Sequence, residues 1–198
     1  MAPGADRRVT DPTIQHAILD RDGVLNRESE SGWLSDPGQW EWETGSLEAL
    51  QLLARVGVEM SIVSNQSGIG RGVVSREDVD RIHEWLRAEV TAAGVTLSGI
   101  YICPHAPEEG CQCRKPEPGL IQQAIDKSGV SPEHTMLIGD DQRDLEAGQS
   151  AGVAVALVRT GKGRQVQSRV ASDTLVFDNL LAAAAFIADR TPLSLAGT

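Results

Sequence analysis

Long apolar stretches are missing from this chain. The longest unbroken run is Leu180 to Ala188, well short of the roughly 18 residues that a membrane-spanning helix needs. Met1 to Asp20 has no apolar core that could serve as a secretory signal. Both absences predict a soluble protein of the cytoplasm. Basic charge is scarce as well: 18 Lys+Arg stand against 28 Asp+Glu, a formal net charge of −10. A broad nucleic-acid footprint needs a clustered excess of Lys and Arg, so neither nucleic acid nor a membrane is an expected partner. Any phosphate this protein handles must be met locally. Only three cysteines occur, Cys103, Cys111 and Cys113. An odd, crowded set in a reducing compartment makes a poor disulfide framework, and metal binding becomes the better question.

What remains is enough for a core. With 198 residues, 40% of them hydrophobic, and 20 glycines, the composition excludes disorder across the chain and suits one domain of ordinary size. No repeat or low-complexity linker divides it. Residues 1–12 read as a loose leader, 13–190 as a single domain and 191–198 as a loose tail, and a monomer is expected. Short apolar runs rich in Val and Ile read as strands at Ile14 to Leu19, Val58 to Val63, Gly99 to Cys103, Met136 to Ile138 and Val153 to Val158. Between them lie segments of helical spacing. Leu47, Leu50 and Leu53 follow a Ser46 cap, and Val79, Ile82, Leu86 and Val90 follow Ser75 with its partner Asp78. A third helix follows Pro118 and stops at Gly129, and a fourth runs from about Arg143 to near Gly152. This alternation predicts an α/β fold, a Rossmann-like parallel sheet with helices on both faces. Ligands in such sheets gather at the carboxyl ends of the strands.

One segment breaks the rhythm. Val24 to Thr44 holds Trp33, Trp40 and Trp42, and a loop of that length in a compact domain is commonly functional. The alternation in Trp40-Glu41-Trp42 predicts a short hairpin flap over a strand end, with these two indoles filling core space and Trp33 nearer the tip.

Four stations carry chemistry. The first strand ends in Asp20-Arg21-Asp22-Gly23, and a period of two lets Asp20 and Asp22 share one site. Such a pair suits phosphoryl transfer, one carboxylate attacking phosphorus and the other giving a proton to the leaving oxygen. Alone, Asp-x-Asp is common in surface loops. Three more stations change its weight. Ser64-Asn65-Gln66-Ser67 with the following glycines can hold phosphate oxygens. Arg114-Lys115 brings an ammonium to nucleophile and phosphate, and Gly139-Asp140-Asp141, then Asp144, suits a hard cation such as magnesium. All four are needed: accelerations approaching ~10²¹ correspond to roughly 28 kcal/mol of barrier, whereas one positioned acid or base supplies about 10²- to 10⁴-fold.

This series, from about Ile14 to Gly161, resembles the haloacid dehalogenase superfamily of phosphatases. The resemblance implies that Asp20 is the nucleophile, Asp22 the general acid and base, and Ser64 and Lys115 the phosphoryl stabilisers. It also implies that Asp140 holds magnesium together with Asp20 and the Asp22 main-chain oxygen.

Cys103-Pro104-His105, five residues, then Cys111-Gln112-Cys113 supply three sulfurs and one imidazole, a tetrahedral zinc set that leaves no position for water. A closed site is structural, and it would pin Arg114 and Lys115 beside it. The alternative is a His105 that caps a turn beside inert thiols. A zinc loop in such a phosphatase, in place of a separate cap domain, resembles two branches. One removes the 7-phosphate of heptose 1,7-bisphosphate and the other dephosphorylates histidinol phosphate. Ser64 to Ile69 with Arg71-Gly72, Arg114 to Gly119, Val158 to Gly161 and the aromatic flap resemble the heptose branch. The five-residue spacing after His105 resembles the histidinol branch. By resemblance, Glu30, Ser31, Gly32, Trp33, Ser64, Asn65, Gln66, Ser67, Arg114, Lys115 and Asp141 would contact a small phosphosugar, Asp141 standing where the heptose branch often has lysine. A protein that binds phosphosugar without turnover is the remote alternative. His16, His83 and His134 lack metal-like spacing and read as surface or packing residues.

Overall fold

The computed structural model describes residues 13–29 and 31–191; the expected leader and nearly all of the expected tail fall outside them. Six parallel strands form one sheet: β1 (His16–Leu19), β2 (Glu59–Asn65), β3 (Gly99–Cys103), β4 (Thr135–Gly139), β5 (Ala154–Val158) and β6 (Leu175–Phe177). Their order is β3-β2-β1-β4-β5-β6. The connections are α1 (Ser46–Arg55), α2 (Arg76–Ala92), α3 (Gly119–Ser128), α4 (Gln142–Ser150) and the single turn α5 (Gly163–Val166), and α6 (Leu180–Ala188) follows the last strand.

Helices cover both faces because successive strand residues point to opposite sides. Ala17 and Leu19 of β1, Met60 and Ile62 of β2 and Met136 and Ile138 of β4 pack with Leu50 and Leu53 of α1, Ile82 and Leu86 of α2 and Leu180 and Ile187 of α6. The alternate residues Ile18, Val63 and Leu137 pack with Ile121 and Ala124 of α3 and Ala147 of α4. The apolar run Leu180 to Ala188 is therefore a core helix laid on α1. No described helix is long and apolar enough to cross a membrane.

The caps agree with the sequence in two places and differ in one. Ser75 Oγ accepts from the Asp78 amide at 3.0 Å while the Asp78 carboxylate accepts from the Ser75 amide at 3.1 Å, the reciprocal box expected at α2. Gly129 ends α3 with φ 70°. At α1, however, the cap is Gly45, and Ser46 is the first helical residue. Its hydroxyl donates to the Leu25 and Glu43 carbonyls, both at 2.8 Å, so it ties the preceding loop down instead of capping.

The expected hairpin flap is reduced to a single antiparallel bridge. Among the described residues, Val24 to Thr44 takes part in the bridges Asp22 to Asn26 and Asn26 to Trp42, the second antiparallel, and forms a 3₁₀ turn at Pro37–Gln39. Trp40-Glu41-Trp42 alternates because Trp40 is buried, its ring 5.2 Å from Trp42 and 5.6 Å from Trp85 of α2. The Trp42 bridge to Asn26 carries two backbone bonds, from the Arg27 amide to the Glu41 carbonyl and from the Glu43 amide to the Leu25 carbonyl, both at 2.8 Å, and the indoles anchor the loop to the core.

Candidate active site

β1 lies between β2 and β4, so the connections on its two sides run in opposite directions and a crevice opens beyond the carboxyl ends of these strands. A cavity of about 220 Å³ occupies that crevice. Asp20 follows β1, Ser64 and Asn65 close β2, and Asp140 follows β4. All of them line it, with Asp22, Gln66, Ser67, Arg114 and Lys115. Four segments distant in sequence thus meet at one place.

Its floor is a buried ion cluster. Lys115 Nζ lies 2.8 Å from Asp20 Oδ1 and 2.7 Å from Asp144 Oδ1, and donates to the Val63 carbonyl at 3.1 Å. Burial disfavours the ammonium, but Asp144 and Asp20 outweigh it and raise its pKa. The carboxylates show the opposite stress. Burial and the Asp144 charge push Asp20 up to about 7 against the pull of Lys115. Burial and the charges of Asp20 and Asp144 push Asp140 up to about 8. Asp20, Asp140 and Asp144 offer oxygens within 4.8 Å of one another, and the Lys115 ammonium meets only two of the three. That surplus of buried negative oxygen fits a hard divalent cation. Gly23 and Gly161 crowd the Asp140 carboxylate so closely that a Cβ on either would collide with it, and the Lys162 amide donates to its Oδ2 at 2.8 Å.

Asp22 sits in a different field. Burial opposes its ionisation, but Arg21, Asn26 and Gln66 together hold its carboxyl below the usual range. Ser64 Oγ is 3.4 Å from Asp22 Oδ2, and Gln66 Nε2 bridges the two, 2.8 Å from Ser64 Oγ and 2.9 Å from Asp22 Oδ2. Asn65 clamps Lys115 by its main chain: the Asn65 Nδ2 donates to the Lys115 carbonyl at 3.0 Å, and the Lys115 amide donates to Asn65 Oδ1 at 3.1 Å. Beside the floor, Cys103, His105, Cys111 and Cys113 converge. Cys111 Sγ is 3.6 Å from Cys103 Sγ and 3.4 Å from Cys113 Sγ, and His105 Nδ1 is 3.6 and 3.3 Å from Cys103 and Cys113. Thiolates about 2.3 Å from a shared tetrahedral ion would stand about 3.7 Å apart, so the donor set fits a metal, and the thiols are free of disulfides. Arg114 NH1 reaches the His105 carbonyl at 3.4 Å, tying the cluster to the cavity wall.

The remaining expectations divide. Gly32 and Trp33 line the cavity, the Trp33 ring close over Gly68, where a Cβ would strike it. Ser31 is exposed and bonds Ser29 and the Trp33 carbonyl. Glu30 lies outside the described residues. Asp141 is not in the cavity lining; its carboxylate caps α4 and holds Arg143 NH2 at 2.6 Å. Arg143 does line the cavity, as do Glu28, Ser29, Leu34 and Lys162, none of which was singled out from sequence. Their positions form no recognisable motif in the sequence. The histidines have packing partners: His16 bonds Ser61 at 3.0 Å, His83 bonds Arg21 at 3.1 Å and His134 meets the Thr13 carbonyl at 2.9 Å.

The HAD-hydrolase-like family model matches residues 112–183. D-glycero-beta-D-manno-heptose-1,7-bisphosphate 7-phosphatase of Pseudomonas putida is 39% identical over 84% of this chain and 95% of its own. The protein of the same name from Neisseria meningitidis serogroup A is 37% identical over 83% of this chain and 89% of its own. The crystal structure of D,D-heptose 1,7-bisphosphate phosphatase from Bordetella bronchiseptica, complexed with magnesium and phosphate, superposes with a TM-score of 0.83 at 33% identity, covering 89% of this chain and 99% of that one. With that identity across most of both chains, this chain belongs to the heptose 1,7-bisphosphate 7-phosphatase family of haloacid dehalogenase-type hydrolases.

Proposed function

We propose that the protein hydrolyses the 7-phosphate of D-glycero-D-manno-heptose 1,7-bisphosphate, leaving heptose 1-phosphate for synthesis of a nucleotide-activated heptose. The observation that carries this reading is the contact of Lys115 with Asp20 at 2.8 Å on the cavity floor, in a chain 39% identical to a curated phosphatase of that name. An Asp20 oxygen attacks phosphorus, the bond from phosphorus to O7 breaks, and O7 takes a proton from Asp22. Water then attacks the aspartyl-phosphate, gives its proton to Asp22 and restores Asp20. Lys115 offsets charge on the nucleophile and the phosphoryl oxygens, and the Ser64 hydroxyl donates to one of those oxygens. Asp20, Asp140 and the Asp22 main-chain oxygen hold magnesium, which when bound offsets charge on the transferring group.

Glu30, Ser31, Gly32 and Trp33 with Ser64, Asn65, Gln66 and Ser67 surround the sugar. Arg114 and Lys115 meet its anionic groups, and Asp141 acts through the Arg143 that it holds. Cys103, His105, Cys111 and Cys113 bind a closed zinc that fixes the Arg114-Lys115 segment. Residues 13–190 act as one phosphatase domain, monomeric and cytoplasmic, without nucleic-acid or membrane partners.

The five residues between His105 and Cys111 resemble the histidinol-phosphate branch, a reading that the relatives do not favour, and one panel separates the two. Phosphate release is measured with heptose 1,7-bisphosphate and with histidinol phosphate, each with magnesium and with chelator. Preference for the heptose with loss on chelation is expected; preference for histidinol phosphate overturns the assignment, and turnover of neither favours a binding protein.

A further inference from the structure

Arg21 lies between the two reacting carboxylates in sequence, yet its side chain turns into the core, where it is 1% exposed. Each of its three side-chain nitrogens has a partner. Its NH2 donates to Asp22 Oδ1 at 2.8 Å and Oδ2 at 3.0 Å, and Nε reaches Oδ1 at 3.3 Å. Its NH1 is 3.1 Å from His83 Nε2, and its Cζ lies 6.0 Å from the Trp40 ring centre. A guanidinium has no acceptor, so His83 Nε2 must accept, as a neutral imidazole with its proton on Nδ1. Trp40 is itself held, edge to Trp42 and tilted on Trp85. The long loop and α2 therefore build a socket for one cation, and a well-packed apolar group of similar volume would often be no less stable there.

We infer that His83 and Trp40 hold the Arg21 fork in place, and that Arg21 fixes the plane of the Asp22 carboxyl from which the proton reaches the leaving oxygen. This deepens the phosphatase reading and rests on it. In the step concerned, the Asp22 O–H bond breaks, an O–H bond forms on O7, and the electron pair of the broken bond to phosphorus stays with O7. Arg21 neither gains nor loses a proton and is a positioning residue. Asn26 and Gln66 also donate to Asp22, both at 2.9 Å, so loosening the fork lets the carboxyl turn without removing it from the site.

A positioned acid matters only when the leaving group needs a proton. An alkoxide such as O7 does; p-nitrophenolate departs without one. His83→Leu removes the acceptor at similar bulk, and His83→Gln returns one. With magnesium present, His83→Leu is expected to lower kcat on heptose 1,7-bisphosphate about tenfold, a fraction of the full effect of a positioned acid. KM and the rate on p-nitrophenyl phosphate stay near wild type, and His83→Gln recovers most of the loss. An equal fall on both substrates, or no fall on either, overturns the inference. If wild type cleaves no heptose bisphosphate, the functional proposal fails instead, and the same ratio is read with glycerol phosphate, another alkyl ester.

Discussion

The cavity floor and the cysteine loop stand side by side, yet they are built on opposite principles. On the floor, Lys115 meets Asp20 and Asp144 at 2.8 and 2.7 Å, partners that lie far from it along the chain. In the loop, Cys103, His105, Cys111 and Cys113 come from eleven consecutive residues. The floor holds strained charge inside the core, which binding and chemistry can use. The loop has little core of its own, and its four donors need an ion to replace one. Charge in the first region should therefore govern rate, and ligation in the second should govern local stability.

The sharpest way to break that contrast is Asp20→Asn. Removing the nucleophile should cut turnover by more than about 10³-fold. It also removes one of three crowded carboxylates, so the melting temperature should hold or rise; substantial residual activity would refute the nucleophile role. Lys115→Met comes next. It leaves Asp20 and Asp144 buried without their cation and should cost about 3–5 kcal/mol in urea unfolding, along with turnover. Cys111→Ser, read by metal analysis and melting, should lose tightly held zinc and a few kcal/mol of stability. Unchanged melting with no zinc in wild type would remove the distinction between the regions.

The smallest effect is in pH. Asp20 and Asp140 have folded pKa values raised from 3.8 to about 7 and about 8. A raised carboxyl binds its proton more tightly in the folded state, so this stability is present below about pH 4 and is lost as pH rises through about 7 to 8. Metal-free protein should melt progressively lower across that window, and magnesium should flatten the fall. A metal-free melting temperature that climbs with pH would contradict the crowding on the floor.

Much of this was readable in advance, for identifiable reasons. Val58 to Val63 announces a strand because strands buried on both faces are continuously apolar. Ser75 with Asp78 announces a helix start because the reciprocal bonds span only three residues. Ser46 misled because a serine before a leucine pattern offers a cap, while its hydroxyl found the Leu25 and Glu43 carbonyls. Trp40 and Trp42 announce a strand because their burial alternates, and the pairing amounts to one antiparallel bridge from Trp42 to Asn26, with Trp40 packed on Trp85 of α2. Lys162 and Arg143 reach the cavity from loop and helix positions with no recognisable spacing. Arg21 gives no hint in sequence that its side chain is buried and folds back onto Asp22.

The order of the first five strands and first four helices, the cysteine and histidine spacing around Cys103 and the carboxylates that follow the strands can be read from the amino-acid sequence alone, because propensity, capping and ligand spacing act over a few residues. Which of those carboxylates share one ammonium, and which arginine faces the cavity or the core, was decided only in the folded chain. Those contacts join segments tens of residues apart, and burial there gives each charge a strength that no local pattern encodes.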